Sequence, residues 1–217
     1  MLSLQSLRAR AASGRTPSPL RFGKVTGDVR RLHRASEYAG ALFQVASQFN
    51  LLEMTSPAVT PEQGVTRYQQ DHTQGPACAI AAGAATIYRN YFVPVGDGNG
   101  QTAQRQLDGL AEVGVGLSEA TDLAVGRLWS MRNGYALCSR EGLSAIGAWL
   151  RGASAVARDA LRSRLRIGIH HDVEVTDGKY KHGPLVSQAF CSALPVASNE
   201  TEDGRQKNRR VEIWLKK

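Results

Sequence analysis

The segment Ala41-Leu42-Phe43-Gln44-Val45-Ala46-Ser47-Gln48-Phe49-Asn50 does most to limit what this chain can fold into. Leu42 to Phe49 is a continuous, mostly apolar run, which suits a strand buried on both faces, and such strands belong to sheets covered by helices. The run ends in Gln48-Phe49-Asn50 and opens into a polar stretch carrying Glu53, Glu62 and Asp71. Small residues follow from Gly75 to Ala85, and then an aromatic segment. Polar side chains and glycines placed after a buried strand are how α/β proteins build ligand sites at strand ends.

The rest of the chain alternates in the same way. Phe22 to Val25 reads as a short strand entering a turn at Thr26-Gly27-Asp28. Residues 51–76 are punctuated by Pro57, Pro61, Gly64, Gly75 and Pro76 and read as loop. Cys78 to Ala85 fits a helix or a buried strand equally. Thr86 to Val95 reads as a strand, and Gly96 to Gly100 as a turn. Residues 102–126 read as helix despite Gly109, Gly114 and Gly116. Trp129 to Leu137 reads as strand around Asn133-Gly134. Ser139-Arg140-Glu141 opens a helix running to about Arg164. Strands are expected in Leu165–Val175 and within Leu185–Val196. The predicted fold class is therefore α/β, an α-β-α sandwich in three layers.

Net charge is +8, and seven of those charges lie in residues 1–34. The remainder nearly balances, so the basic character belongs to an N-terminal arm rather than to a binding face. Residues 1–21 are rich in Arg and Ser and contain no acid. They read as a disordered basic arm, with an organellar transit segment as the alternative. Nucleic-acid binding through this arm is a competing function, because clustered arginines bind phosphate by releasing counterions. Cys78, Cys138 and Cys191 are far apart and lack metal-ligand spacing, which points to buried reduced thiols in a cytoplasmic protein. His170-His171-Asp172 with Glu174 is a poor metal set, since adjacent residues of a strand point to opposite faces. No metal, no cofactor and no membrane partner is expected, because no apolar run approaches the roughly 18 residues a span needs. Arg89-Asn90, set between aromatics, fits a buried hydrogen-bond network at least as well as a ligand contact.

Gly27-Asp28-Val29, shortly before a strand that ends in Asn50, resembles the opening of a macrodomain. That resemblance implies a mixed, macrodomain-like sheet over residues 22–197 and a site for ADP-ribose or an ADP-ribosylated protein. Asp28, beside Val29, would accept from the adenine amino group, and Asn50 would orient the distal ribose. The family's run of glycines is reduced here to Gly64 in Thr60-Pro61-Glu62-Gln63-Gly64-Val65. The acidic loop is more similar to poly(ADP-ribose) glycohydrolase-like members, in which carboxylates act on the ribosyl bond. Small residues from Gly75 to Gly83 would let backbone N–H groups approach the diphosphate.

A second, shorter resemblance covers the tail. Gly204-Arg205-Gln206-Lys207-Asn208-Arg209-Arg210-Val211-Glu212-Ile213 is similar to the end of an outer-membrane protein A-like domain. The two resemblances meet at Pro195-Val196-Ala197. Residues 198–217 are thus expected to be a charged tail joined to an α/β domain shortened at its C-terminus, as in a fused reading frame. The upstream parts of that second domain are not recognisable, so no peptidoglycan-binding residue is assigned.

Hydrolysis of a ribosyl bond passes through an oxocarbenium-like transition state, which a carboxylate can stabilise while an acid assists departure. Glu53, Glu62 and Asp71 are the candidate catalytic groups, with His72 beside the last. A non-catalytic module for ADP-ribose or a related nucleotide remains the alternative.

Overall fold

The structure, a computed structural model, describes residues 1–13, 23–27, 29–32, 35–39, 41–64, 83–170, 175–176, 182–183, 187–192 and 211–214. Within these residues the chain is a mixed α/β protein. Its largest sheet has five strands in the order β1-β7-β10-β2-β11, formed by Leu2–Ser3, Arg166–His170, Ser187–Ser192, Ala41–Ala46 and Val211–Trp214. The centre of the sheet is a parallel pair, β2 beside β10, with Ala41 opposite Ser187 and Ala46 opposite Ser192. Strand β7 runs antiparallel to β10, and β11 antiparallel to β2. Three two-stranded ribbons complete the strands: β3 (Pro94–Val95) with β4 (Gly98–Asn99), β5 (Trp129–Arg132) with β6 (Tyr135–Cys138), and β8 (Val175–Thr176) with β9 (His182–Gly183).

The helices are α1 (Leu4–Ala12), α2 (Val29–Leu32), α3 (Gly83–Ile87), α4 (Ala111–Thr121), α5 (Val125–Leu128), α6 (Arg140–Gly152) and α7 (Ala155–Ser163). Local chemistry explains where the long ones begin. Ser3, Ser139 and Ser154 each accept a hydrogen bond from the N–H three residues on, which satisfies a helix-start donor. Helix α4 ends where Asp122 turns left-handed, with φ of 54°. Between α5 and α6, Asn133-Gly134 closes the β5–β6 hairpin with φ of 47° and 80°, the geometry of a two-residue turn. The apolar core of this half comprises Val113, Leu117, Leu128, Trp129 and Leu165, with Ile146, Trp149 and Leu161 packed on it. Gly142 of α6 sits against Leu128, where a Cβ would overlap the Leu128 carbonyl.

Several expectations need correction. Residues 23–26 form no strand. Thr86 to Val95 is not a strand: α3 runs into a π-helical turn, Tyr88–Phe92, and only Pro94–Val95 is extended. Its buried residues, Ala85, Thr86, Arg89 and Asn90, repeat at helical spacing, and that periodicity prevails over aromatic and β-branched propensity. Residues 102–110 lie outside any helix, and α4 starts only at Ala111. The helix expected over 139–164 is two, broken at Ala153-Ser154 where Ser154 caps the second. Residues 2–12 are not an unstructured arm. Strand β1 pairs with the edge of β7, and Arg8 grips Asp159 through both guanidinium nitrogens at 2.7 and 2.9 Å. Cys138 is a free thiol but exposed rather than buried. Residues 211–214 of the tail form β11 in the main sheet. No described helix is long and apolar enough to cross a membrane.

Candidate functional site

Strands β2 and β10 are parallel, so their carboxyl ends, Ala46 and Ser192, lie at one edge of the sheet. The chain leaving β2 turns sharply there. Phe49 N–H donates to the Gly134 carbonyl at 2.9 Å, and Gly109 N–H donates to the Phe49 carbonyl at 2.8 Å. Arg166 N–H, at the start of β7, donates to the Gly109 carbonyl at 3.1 Å. Gly109 is wedged so closely that a Cβ would lie 2.8 Å from the Arg166 carbonyl oxygen and 3.2 Å from that of Phe49. Leu51 takes a left-handed conformation, φ 65°, which a branched side chain adopts only under constraint.

Amide side chains hold this turn. Asn50 is fully buried. Its Oδ1 accepts from Leu52 N–H at 3.1 Å, and its Nδ2 donates to Gln106 Oε1 at 3.0 Å. Gln106 donates onward to Asn133 Oδ1 at 3.0 Å. Asn133 donates to the Pro57 carbonyl at 2.6 Å. Gln101 bridges two segments, with Nε2 donating to the carbonyls of Asn50 and Arg89 at 2.9 and 2.8 Å. Its Oε1 accepts from Leu107 N–H at 3.0 Å. Gln48 spans Met54 from both sides, donating to its carbonyl and accepting from its N–H. Tyr135 Oη donates to the same Met54 carbonyl at 2.6 Å. Such a network is rigid only when each member is satisfied, because an unpaired buried amide costs about 1–3 kcal/mol.

The expected site residues divide clearly. Glu53 is buried in this turn, 7 % exposed, beside the core formed by Leu52, Met54 and Val59. Glu62 is on the surface, in the 3₁₀ turn Pro61–Gln63. Its Oε1 accepts from Ala103 N–H at 2.8 Å. Partial burial pushes its carboxyl up, but hydrogen bonds from the Ala103 N–H, its own N–H and the Thr60 hydroxyl outweigh this, and the group sits below the usual glutamate value. Gly64, φ 69°, closes that turn, and a Cβ there would overlap Tyr91 Oη. Backbone conformation and packing together require glycine here. Val29 opens α2, and Gly83 opens α3. Asp28, Asp71, His72 and Gly75 lie outside the described residues, as do His171, Asp172 and Glu174. Asn50, expected to face a ribose, instead has both ends of its amide engaged inside the protein.

Arg89 and Asn90 do form the buried network expected of them. Arg89 Nη2 donates to Thr86 Oγ1 at 3.2 Å, and Asn90 Nδ2 donates to the Pro61 carbonyl at 3.0 Å. Asn90 Oδ1 and Ser47 Oγ are buried without a hydrogen-bond partner among the described residues. Gln101 and Gln106 carry no role in the sequence reading, and Asn133 figures there only beside Gly134. Asn133 is visible as a turn residue, but no local pattern marks the two glutamines as its partners. Asp108 is a further carboxyl near the turn. Burial pushes it up, against hydrogen bonds from the N–H groups of Leu110 and Ala111. Its Oδ1 accepts from Leu110 N–H at 2.7 Å, just ahead of α4.

Among the described residues no group of three His, Cys, Asp or Glu side chains could hold a metal ion. The arrangement offers one buried and one ionised carboxyl on a braced loop at the end of a parallel strand pair. Compared with protein-family models, with curated proteins and with solved structures, the chain matches none.

Proposed function

We propose that the chain is a macrodomain-like protein, built as a three-layer α-β-α sandwich, that binds ADP-ribose and hydrolyses an ADP-ribosyl linkage on protein. The observation that carries this reading is the placement of the acid-bearing loop. Residues 47–64 leave the carboxyl end of β2 beside that of β10, where open α/β sheets bind their ligands. The left-handed Leu51 and the amide bracing hold that loop in one shape, as a preorganised site requires. Asp28 and Val29 would take the adenine, and the small residues Gly75 to Gly83 the diphosphate. Asn50 would act through the loop it braces. Glu53, Glu62 and Asp71 would supply the carboxylate that meets the developing ribosyl cation.

A second reading, a binding module without turnover, draws on Glu62. A carboxylate held below its usual value and tied to the Ala103 N–H is poorly suited to donate a proton. Calorimetric titration with ADP-ribose, with AMP as control, tests the shared premise. Saturable binding weakened by Asp28→Ala supports it, and no binding by folded protein refutes it. Turnover of an ADP-ribosylated protein then separates the two readings. Glu53→Gln, Glu62→Gln or Asp71→Asn should abolish hydrolysis while binding persists if the loop is catalytic.

A further inference from the structure

Helix α6 has two apolar sides, and the fold uses one. Ile146 and Trp149 face inward onto the core, and Gly142 is pressed against Leu128. A second stripe beside that face carries Arg140, Leu143, Gly147 and Leu150, at spacings of three, four and three residues, with Arg151 flanking it. Leu143 is 58 % exposed and Leu150 42 %. Gly147 leaves a notch between them: a Cβ there would meet only Arg151 Nη1, at 3.4 Å. Arg140 and Arg151 mark the two ends, about 16 Å apart along the axis at ~1.5 Å per residue. Neither has an ion-pair partner among the described residues, whereas the neighbouring Glu141 is taken by Arg127.

We infer that this stripe docks an acidic amphipathic helix of a partner protein, with apolar residues seated on Leu143 and Leu150 and carboxylates at each end meeting Arg140 and Arg151. Charge decides among occupants. A second copy of the chain laid antiparallel sets Arg140 against Arg151, and laid parallel sets like against like, so self-pairing is repulsive either way. An anionic membrane surface would take the arginines. However, the broad apolar face that an interfacial helix needs is here turned into the core, leaving two leucines. A small residue between two leucines allows close approach of another helix, and terminal arginines fix its polarity. This inference is independent of the ADP-ribose reading.

The test uses the full chain and a labelled synthetic helix of about 20 residues, long enough to hold its fold. It carries leucines every three or four residues on one face and glutamates at both ends, and its counterpart has lysines in place of the glutamates. The acidic peptide should bind saturably and more weakly as salt rises, and the basic one should not bind. Combined Leu143→Ser and Leu150→Ser should weaken binding about tenfold or more. Gly147→Leu should do the same without lowering the melting temperature, since it fills the notch and not the core. Arg140→Glu with Arg151→Glu should exchange the preference, releasing the acidic peptide and capturing the basic one. The inference is overturned if neither peptide binds or if the charge exchange leaves the preference unchanged. It is equally overturned if phosphatidylserine vesicles bind through Leu143 and Leu150 when the peptide does not, or if those leucines hold a dimer.

Discussion

Two regions of this molecule are held together by opposite means. The α4–α7 region is closed by apolar packing: Leu128 is fully buried, and Val113, Leu117, Trp129 and Leu165 gather round it. The turn after β2 is closed by amides, with Gln48, Asn50, Gln101, Gln106 and Asn133 passing hydrogen bonds between segments 50 or more residues apart in several cases. Apolar packing is non-directional and tolerates shape-conserving change. An amide network tolerates almost none, because loss of one member leaves another buried and unpaired. The first region is scaffold. The second is held in one geometry at the strand ends, where we propose the site.

The contrast can be broken by substitution. The largest effect is expected from Gly142→Val, whose side chain has no room beside the Leu128 carbonyl. Loss of about 4 kcal/mol or more, read from the urea midpoint, would fit the scale of severe core disruption. Asn50→Leu should follow. It keeps the volume but strands Leu52 N–H and the Gln106 carbonyl, for about 2–3 kcal/mol. In a double-mutant cycle with Gln106→Leu the combined loss should be smaller than the sum of the two, since the second change removes the acceptor that the first leaves unpaired, while Asn133 Oδ1 loses its donor in either variant that lacks Gln106. Additivity of the two changes would show that the amides do not act as a unit.

Titration sharpens the comparison at smaller scale. Glu62 sits below its usual value in the folded protein, so its contribution is present at neutral pH and is lost as pH falls below the ordinary glutamate range through its lowered folded value. The tie between residues 61–63 and Ala103 should loosen in acid, read as a titrating Ala103 amide shift that Glu62→Gln removes. Asp108 has the opposite sign. A raised carboxyl favours the fold below its unfolded value and opposes it once ionised, so Asp108→Asn should melt no lower than the parent at pH 7. The smallest effect is expected at Arg8→Ala. Its bond to Asp159 is on the surface, and exposed pairs contribute little, so the melting temperature should barely move, and the small difference from the parent should shrink as salt rises.

What was readable in the sequence follows the same division. The β5–β6 hairpin was marked by Asn133-Gly134, the start of α6 by Ser139, and β2 by its apolar run, because each signal lies within a few residues of the element it specifies. The π-helical turn was misread because Tyr88, Tyr91 and Phe92 favour strands locally. Its buried face carries Thr86, Arg89 and Asn90, and the partners of the last two include Pro61 and Gln101, far away in sequence. The N-terminal helix was missed for a related reason. Nothing near Arg8 announces a carboxylate at Asp159, about 150 positions later. In the loop after β2, Glu53 and Glu62 were picked out as acids, while the glutamines that brace it have no local signature.

The most direct test of the account is hydrogen–deuterium exchange of the full chain with and without saturating ADP-ribose. Slower exchange confined to residues 47–64 and 101–107, with residues 111–163 unchanged, is the result expected if the braced turn is the site. Protection spread evenly over both regions, or none in 47–64 despite bound ligand, would contradict it.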